Sequence, residues 1–341
     1  MGHYGLWLDR YELRRGQILD KWSNLAHIVE EMRPTIPSEL VFKKLLEGGE
    51  TRGKMCFIDG GEGLRELLGL GVYFIRASGL TLCADESGPR GELFIRDLDM
   101  NMLDYDDHMK DRVDLLRDGM EYDVAMRCVQ EHKPEMLVLD GSLHVKAGRR
   151  PVDCLEYELY RKKYSRLLRL CKREGVRIIG VSEDSRSRLF TRHLTDEYGV
   201  TFPKHMTDST ILRILSTNGG YMTREFMPKY GQETAGGITG GITKGFRTAY
   251  MQPYSLANPL RIDAPDWEED LTQAVQTIAC LCRGSGHYGY PLPLYLAHMD
   301  AKISSAQMDW TVKQIVSYIS KRDDILADAV MKPTRRCDRP T

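Results

Sequence analysis

The sequence predicts an α/β fold: a mixed sheet flanked by helices, with a helical region ahead of it and a glycine-rich insertion within it. Three observations carry this. Four apolar residues, Met55 to Ile58, run straight into Asp59 and then Gly60 and Gly61. A short apolar run bounded by turn residues is the pattern of a strand covered on both faces. The pattern recurs where Met136 to Leu139 run into Asp140 and Gly141. Around these two runs, segments of helical period alternate with further apolar runs, the order that builds a sheet with parallel neighbours.

Composition narrows the class. The chain has 341 residues, a formal net charge of −1, 42% hydrophobic and 28% charged residues. That is the balance of a soluble protein with a sizeable core. The longest apolar runs are too short to span a bilayer, and no charged-then-apolar leader opens the chain. Only Cys280 and Cys282 of the eight cysteines are close, a spacing that fits neither a zinc knuckle nor a redox pair. Cys56 and Cys83 lie in strand-like runs and read as small buried apolar groups. The expectation is a cytoplasmic protein with reduced thiols and no membrane partner.

The small net charge hides segregation. Ten acids face three bases between Asp97 and Asp123, and ten Lys and Arg face three acids between Lys146 and Arg173. Each run reads either as a solvated helix face or as one half of an acidic, cation-holding cluster beside a phosphate-holding basic face.

Taken in order, residues 1–50 form a helical extension. Trp22, Leu25, Ile28, Val29 and Met32 make an apolar stripe. Pro34 and Pro37 interrupt, and Ser38 caps a short helix through Leu46, closed by Gly48 and Gly49. Residues 51–217 form the core. After the Asp59 strand, runs 71–77, 80–84 and 91–96 read as an antiparallel meander joined by Gly-, Ser- or Pro-containing turns. A helix from Arg112 to Glu131 carries Glu121, and Pro134 separates it from the Asp140 strand. Val152 to Arg173 is a helix with Leu155, Leu159, Leu167, Leu168 and Cys171 inward. Gly175 ends it, and Val176 to Val181 is a strand parallel to the previous one. The polar stretch Ser182 to His193 reads as helical.

Residues 218–250 hold the glycine-rich insertion, a long flexible loop over 218–246. Its Gly236-Gly-Ile-Thr-Gly-Gly241 segment lacks the ending of a phosphate loop. Residues 251–331 complete the core. Leu260 to Ile262 is a short strand, and Asp266 and Glu269 cap a helix whose buried face is Leu271, Val275, Ile278, Ala279 and Cys282. After a loop over 284–289, Tyr290 to His298 enters another helix with prolines in its first turn. Residues 332–341 form a polar tail.

Strand, meander, helix, strand, helix, strand is the order of an RNase H-like sheet, in which carboxylates of adjacent central strands meet. Asp59, Asp140 and Glu121 have the donor type for a hard divalent cation, with Asp97 and Asp99 competing for the third place. Two such ions can stabilise attacking and leaving oxygens in phosphodiester cleavage. The bland reading, that both Asp-Gly pairs are turns, stands for either pair alone. His298 and Tyr290 flank a proline-rich helix start; each reads as a structural group or as part of this site. Lys162, Lys163, Arg166 and Arg169 read as a DNA path or as a solvated face.

These residues carry a family resemblance. The Phe-Ile-Asp-Gly strand, Glu121 ahead of Leu-Val-Leu-Asp-Gly-Ser-Leu, the Val-Ser turn at 181–182, and Gly289-Tyr-Pro-Leu-Pro-Leu with Ala297-His298 resemble the NurA nuclease family over about Met55 to Ile303. The resemblance implies a homodimer with Mn²⁺-dependent endonuclease and 5′-to-3′ exonuclease action on DNA, Mg²⁺ being the alternative ion. It implies partnership with HerA, a hexameric DNA-translocating ATPase, in end resection at double-strand breaks. Asp59, Glu121 and Asp140 would be the metal carboxylates, and Tyr290 and His298 would complete the site, His298 as metal ligand or proton-transfer group. Members of the family often have a lysine after the Val-Ser turn, where this chain has Glu183 and Asp184. The rival readings are an RNase H-like nuclease of another specificity, antiviral use included, a catalytically silent adaptor of a motor ATPase, and a structural protein without a site.

Overall fold

The structure, a computed structural model, describes residues 3–36, 41–45, 53–85, 88–144, 154–183, 186–216, 218–229, 239–282, 289–323 and 325. Helix α1 is His3–Met32, followed by strands β1 (Phe42–Lys44), β2 (Gly53–Glu66), β3 (Leu70–Asp85) and β4 (Gly88–Asp104). Then come α2 (Met109–His132), β5 (Met136–Asp140), α3 (Leu155–Glu174), β6 (Arg177–Ser182), α4 (Leu189–Tyr198) and α5 (Asp208–Leu215). The last part is β7 (Tyr221–Thr223), β8 (Phe246–Gln252), β9 (Leu260–Pro265), α6 (Thr272–Cys282), α7 (Leu292–Ala301) and α8 (Ser305–Ser320).

These strands form one sheet in the order β1-β7-β8-β9-β6-β5-β2-β3-β4. Strands β2, β5 and β6 are parallel neighbours, and β2, β3 and β4 are antiparallel. That half of the sheet, β4-β3-β2-β5-β6, is the mixed RNase H-like arrangement with helices on both faces. The two-residue period of a strand separates two cores. Cys56, Ile58, Leu137 and Leu139 meet α2 and α3 on one face. Met55, Phe57, Met136 and Val138 meet α6 and α7 on the other.

Several sequence expectations change. Residues 42–44 are not helical: β1 pairs with β7, and Phe42 packs edge-on against Tyr221 at 4.7 Å between ring centroids. Sheet pairing there overrides a helical period. Pro37, Ser38, Leu46, Gly48 and Gly49 lie outside the described residues, as do the side chains of Val29 and Met32. Of the α1 stripe, Leu25 and Ile28 pack against the cluster around Phe190 and Tyr250, whereas Trp22 is exposed.

The expected break at Ser78-Gly79 is absent, and β3 runs straight through it. A Cβ at Gly79 would stand 2.6 Å from Cys128 Sγ, so this glycine admits α2 rather than turning the chain. Asp97 and Asp99 lie on β4 and are exposed. On α3 the inward face is Tyr160, Tyr164, Leu167, Leu168 and Cys171, while Leu155 and Leu159 are exposed. Three stacked tyrosines fill the seam, with Tyr122 and Tyr164 5.1 Å apart, which reading leucines alone misses. Val152 lies outside the described residues.

Ser182 ends β6, and α4 starts only at Leu189. The glycine-rich stretch contains β7, and Phe226 bridges to Thr248; 230–238 lie outside the described residues. Asp266 caps no helix. It accepts from Thr243 Oγ1 at 2.6 Å and Lys244 N at 3.2 Å, and α6 begins at Thr272, whose N–H donates to Asp270 at 2.7 Å. The expected buried face of α6 is buried. Loop residues 284–288 and the tail lie outside the described residues. Helix α8 opens with a Ser304–Gln307 capping box and covers the far ends of β2 and β3 through Met308.

Candidate metal centre

Asp59 ends the core-spanning half of β2, and Asp140 is the last residue of β5. The parallel register sets Ile58 beside Leu139, so the two acids stand side by side one step further on. Each shares the face of its neighbours Phe57 and Val138, the face covered by α6 and α7.

Helix α7 delivers the next group. Pro291 precedes it and Pro293 sits in its first turn, where a missing N–H costs nothing. A Cβ at Gly61 would be 2.2 Å from the Ala301 carbonyl oxygen, so glycine there lets the end of α7 lie against β2. His298 Nδ1 is then 2.8 Å from Asp59 Oδ2, and Gly60 N donates to Asp59 Oδ1 at 2.7 Å. Tyr290 Oη donates to Asp140 Oδ1 at 2.7 Å. One ligand atom each from Asp59, Asp140 and His298 lie within 4.8 Å of one another. Asp59 is buried, while 47% of the His298 side chain is exposed, so the site opens past the imidazole.

Glu121 arrives from the opposite face on α2. A Cβ at Gly60 would fall 2.3 Å from Glu121 Oε1; glycine lets the carboxylate reach the β2 backbone. Arg117, one turn earlier, pairs through Nε with Glu121 Oε1 at 3.2 Å, and also with Asp118 at 2.7 Å and Glu62 at 3.2 Å. Lys110 joins this cluster through Glu62. Arg117 is a site residue that sequence reasoning missed. Its signal was its place four residues before Glu121 on one helix.

Electrostatics follow from burial. The Asp140 carboxyl is pushed up to about 7 by burial and then by the Asp59 charge, against the Tyr290 hydrogen bond and His298. Glu121 is raised well above the carboxylate range by burial, with Arg117 opposing. His298 is raised, first by its hydrogen bond to Asp59. Three buried or half-buried acids beside one another are costly unless protons or a cation compensate them. Two carboxylates and an imidazole are the donor set of a hard-to-borderline divalent ion, so these residues fit one.

The other candidates lie elsewhere. Asp99 accepts from Tyr73 Oη at 3.2 Å and Asp97 is 3.9 Å from Arg127, both on the exposed part of β4. The basic residues of α3 divide. Lys162, Arg166 and Arg169 line a cleft of about 620 Å³ with Arg161 and Gly240. Lys163 turns to α2, where its Nζ is 2.6 Å from Asp123. Glu183 is exposed beyond β6; Tyr290 is raised first by burial and then by Asp140, with Glu183 adding least. Asp184 lies outside the described residues.

A family model described as the NurA domain matches residues 53–303. The chain belongs to the NurA family. Its fold resembles the NurA nuclease from Sulfolobus solfataricus with a TM-score of 0.68 at 19% identity, covering 94% of this chain and 98% of that one. It also resembles a NurA bound to dAMP and manganese, with a TM-score of 0.59 at 14% identity over 91% and 97% of the two chains. A NurA with manganese matches at 0.60 and 14% identity, over 91% and 99%. At these identities the likeness is one of fold. No curated protein sequence matches the chain. Within the NurA match lie Asp59, Glu121, Asp140, Tyr290 and His298. Among the described residues, no helix of this NurA chain is long and apolar enough to cross a membrane.

Proposed function

We propose that this NurA chain is a divalent-cation-dependent DNA nuclease, with endonuclease and 5′-to-3′ exonuclease action. It would work in end resection with a HerA-type hexameric ATPase. The convergence of Asp59, Asp140 and His298 is the observation that carries the hydrolytic part. The relative bound to dAMP and manganese supports a deoxynucleotide product and Mn²⁺ as the ion, with Mg²⁺ second. The ATPase, the homodimer and the repair role rest on family membership. For the homodimer, edge strand β4 offers Leu93, Leu98, Met100 and Met102, all exposed, a surface that folded proteins normally cover.

Asp59, Asp140 and His298 would hold the cation, with Glu121 adjoining. When bound, it would supply Lewis-acid polarisation of a phosphate oxygen and a more acidic water. The chain's own residues do the positioning. Tyr290 fixes one oxygen of Asp140, and the Gly60 amide fixes one oxygen of Asp59. Arg117 holds Glu121 ionisable in a buried place. His298 sits at the open side with Nδ1 held by Asp59; it would serve either as a neutral ligand of the cation or, where the carboxylates alone hold the ion, as the acid that hands a proton to a leaving oxygen. Lys162, Arg166 and Arg169 would guide the phosphate backbone along the α3 cleft.

End-labelled linear duplex incubated with chelator, Mg²⁺ or Mn²⁺ tests this reading. It predicts cleavage only with metal and a ladder advancing from the 5′ end. DNA intact in every lane, with and without a HerA-type ATPase, would contradict it.

A further inference from the structure

A second group of side chains able to ligate a metal sits on the two elements that carry Asp59 and Glu121. Cys56 and Thr81 are direct cross-strand partners on β2 and β3, so both face α2. Cys128 and His132 are four residues apart on α2 and share its inward side. One ligand atom each from Cys56, Cys128 and His132 lie within 4.8 Å of one another. Thr81 Oγ1 is 2.8 Å from Cys56 Sγ and 2.6 Å from His132 Nδ1. Cys56, Cys128 and Thr81 are fully buried, and His132 reaches toward solvent at the end of α2.

We propose that Cys56, Cys128 and His132 form a second, thiophilic cation site that takes Zn²⁺ and ties β2 to α2. Two thiolates and an imidazole are soft-to-borderline donors that suit Zn²⁺ and not the hard ion of the carboxylate site. Two thiolates also neutralise a divalent charge, which a buried site requires. The Thr81 hydroxyl lies within hydrogen-bond reach of Cys56 and His132 and can orient them, and a water would complete the four ligands of a tetrahedral ion. Gly79 is part of the cradle, because a side chain there would collide with Cys128 Sγ. Binding releases the thiol protons to solvent past His132 and oxidises nothing.

The spacing gives the site a purpose. Cys56 precedes Asp59 by three strand residues, about 10 Å. Cys128 follows Glu121 by seven helical residues, also about 10 Å. A cation holding Cys56 to Cys128 therefore fixes the register of the elements that carry Asp59 and Glu121. The inference stands whether or not the chain cuts DNA.

The test uses full-length protein purified under reducing conditions. Zinc would be measured by mass spectrometry, and Co²⁺ then exchanged in and followed by absorption. The expected result is about one equivalent of thiophilic metal per chain, with cobalt–thiolate charge-transfer and tetrahedral visible bands. Asp59→Asn and Asp140→Asn should keep these bands, and Cys128→Ser should lose them. His132→Ala, at the half-exposed helix end, guards against misfolding: it should shift the bands and weaken Co²⁺ binding by at least about tenfold. No thiolate-bound metal in the wild type, or bands unchanged in Cys128→Ser and His132→Ala, would overturn the proposal. So would a native Cys56–Cys128 disulfide found by thiol counting.

Discussion

His298 Nδ1 lies 2.8 Å from Asp59 Oδ2, joining residues 239 positions apart and closing α7 onto the end of β2. This contact makes the acid pair a three-sided site rather than two adjacent turns. Replacing His298 with Ala removes one of the proposed ligands and leaves Asp59 buried without its imidazole. Mn²⁺ affinity, read by calorimetry, should fall by at least about tenfold, and cleavage should fall with it. Unchanged affinity would remove His298 from the site.

The raised acid gives a pH dependence with a definite sign. The Asp140 carboxyl, pushed up to about 7, holds its proton more tightly folded than unfolded. Its contribution to stability is full below about pH 4 and is lost as pH rises through 7. His298, also raised, acts in the same direction. In chelator the Tm should therefore fall from pH 5 to pH 8, and added Mn²⁺ should recover more of it at the high end, where its ligands are deprotonated. A Tm in chelator that rises over this range would contradict the burial of Asp140.

Arg117 holds Glu121 by charge. Arg117→Ala leaves a buried carboxylate without its cation, which should cost about 3 kcal/mol in urea unfolding. Arg117→Lys should recover part of that, because a point charge cannot reach Glu121, Asp118 and Glu62 together.

The two glycines after Asp59 should fail differently. A Cβ at Gly60 meets side-chain atoms of Glu121 and Arg117, whereas one at Gly61 meets the backbone of Ala301. Gly60→Ala should displace Glu121, lowering activity at least tenfold with a stability loss of about 1 kcal/mol. Gly61→Ala should lift α7 away and lower both, since backbone cannot yield as a side chain can. Equal losses of stability in the two variants would contradict this packing.

On α3, Arg166→Ala with Arg169→Ala should weaken DNA binding for all sequences alike. The slope of log Kd against log salt should shrink by up to about 0.9 per phosphate contact removed. Lys163→Ala should change the slope less, because Lys163 is paired with Asp123.

How far the sequence was legible depends on the kind of signal. Asp59 and Asp140 stood out because an apolar run ending in an acid shows its burial without any partner, and the parallel pairing of β5 with β6 followed from the intervening helix. Other features needed the third dimension. Gly79 looks like a turn until Cys128 fills the space of its Cβ. The stretch 42–44 looks helical until β7 pairs with it. Tyr160 and Tyr164 announce an inward face only once Tyr122 stacks on them. Arg117 is one charge among many in an acidic run, and only the packing of α2 across Gly60 sets it on Glu121. The Ser304–Gln307 capping box can be read from spacing, yet what α8 covers cannot.

In the proposed mechanism Asp59 and Asp140 would share a cation that the cleavage of DNA requires. The most direct test is Mn²⁺ binding by electron paramagnetic resonance, run beside a cleavage assay on the same preparations of wild type, Asp59→Asn and Asp140→Asn. The account predicts that both variants fold, and that each loses bound Mn²⁺ and cleavage together. Cleavage that persists in either variant, or Mn²⁺ bound as tightly as in the wild type, would contradict it.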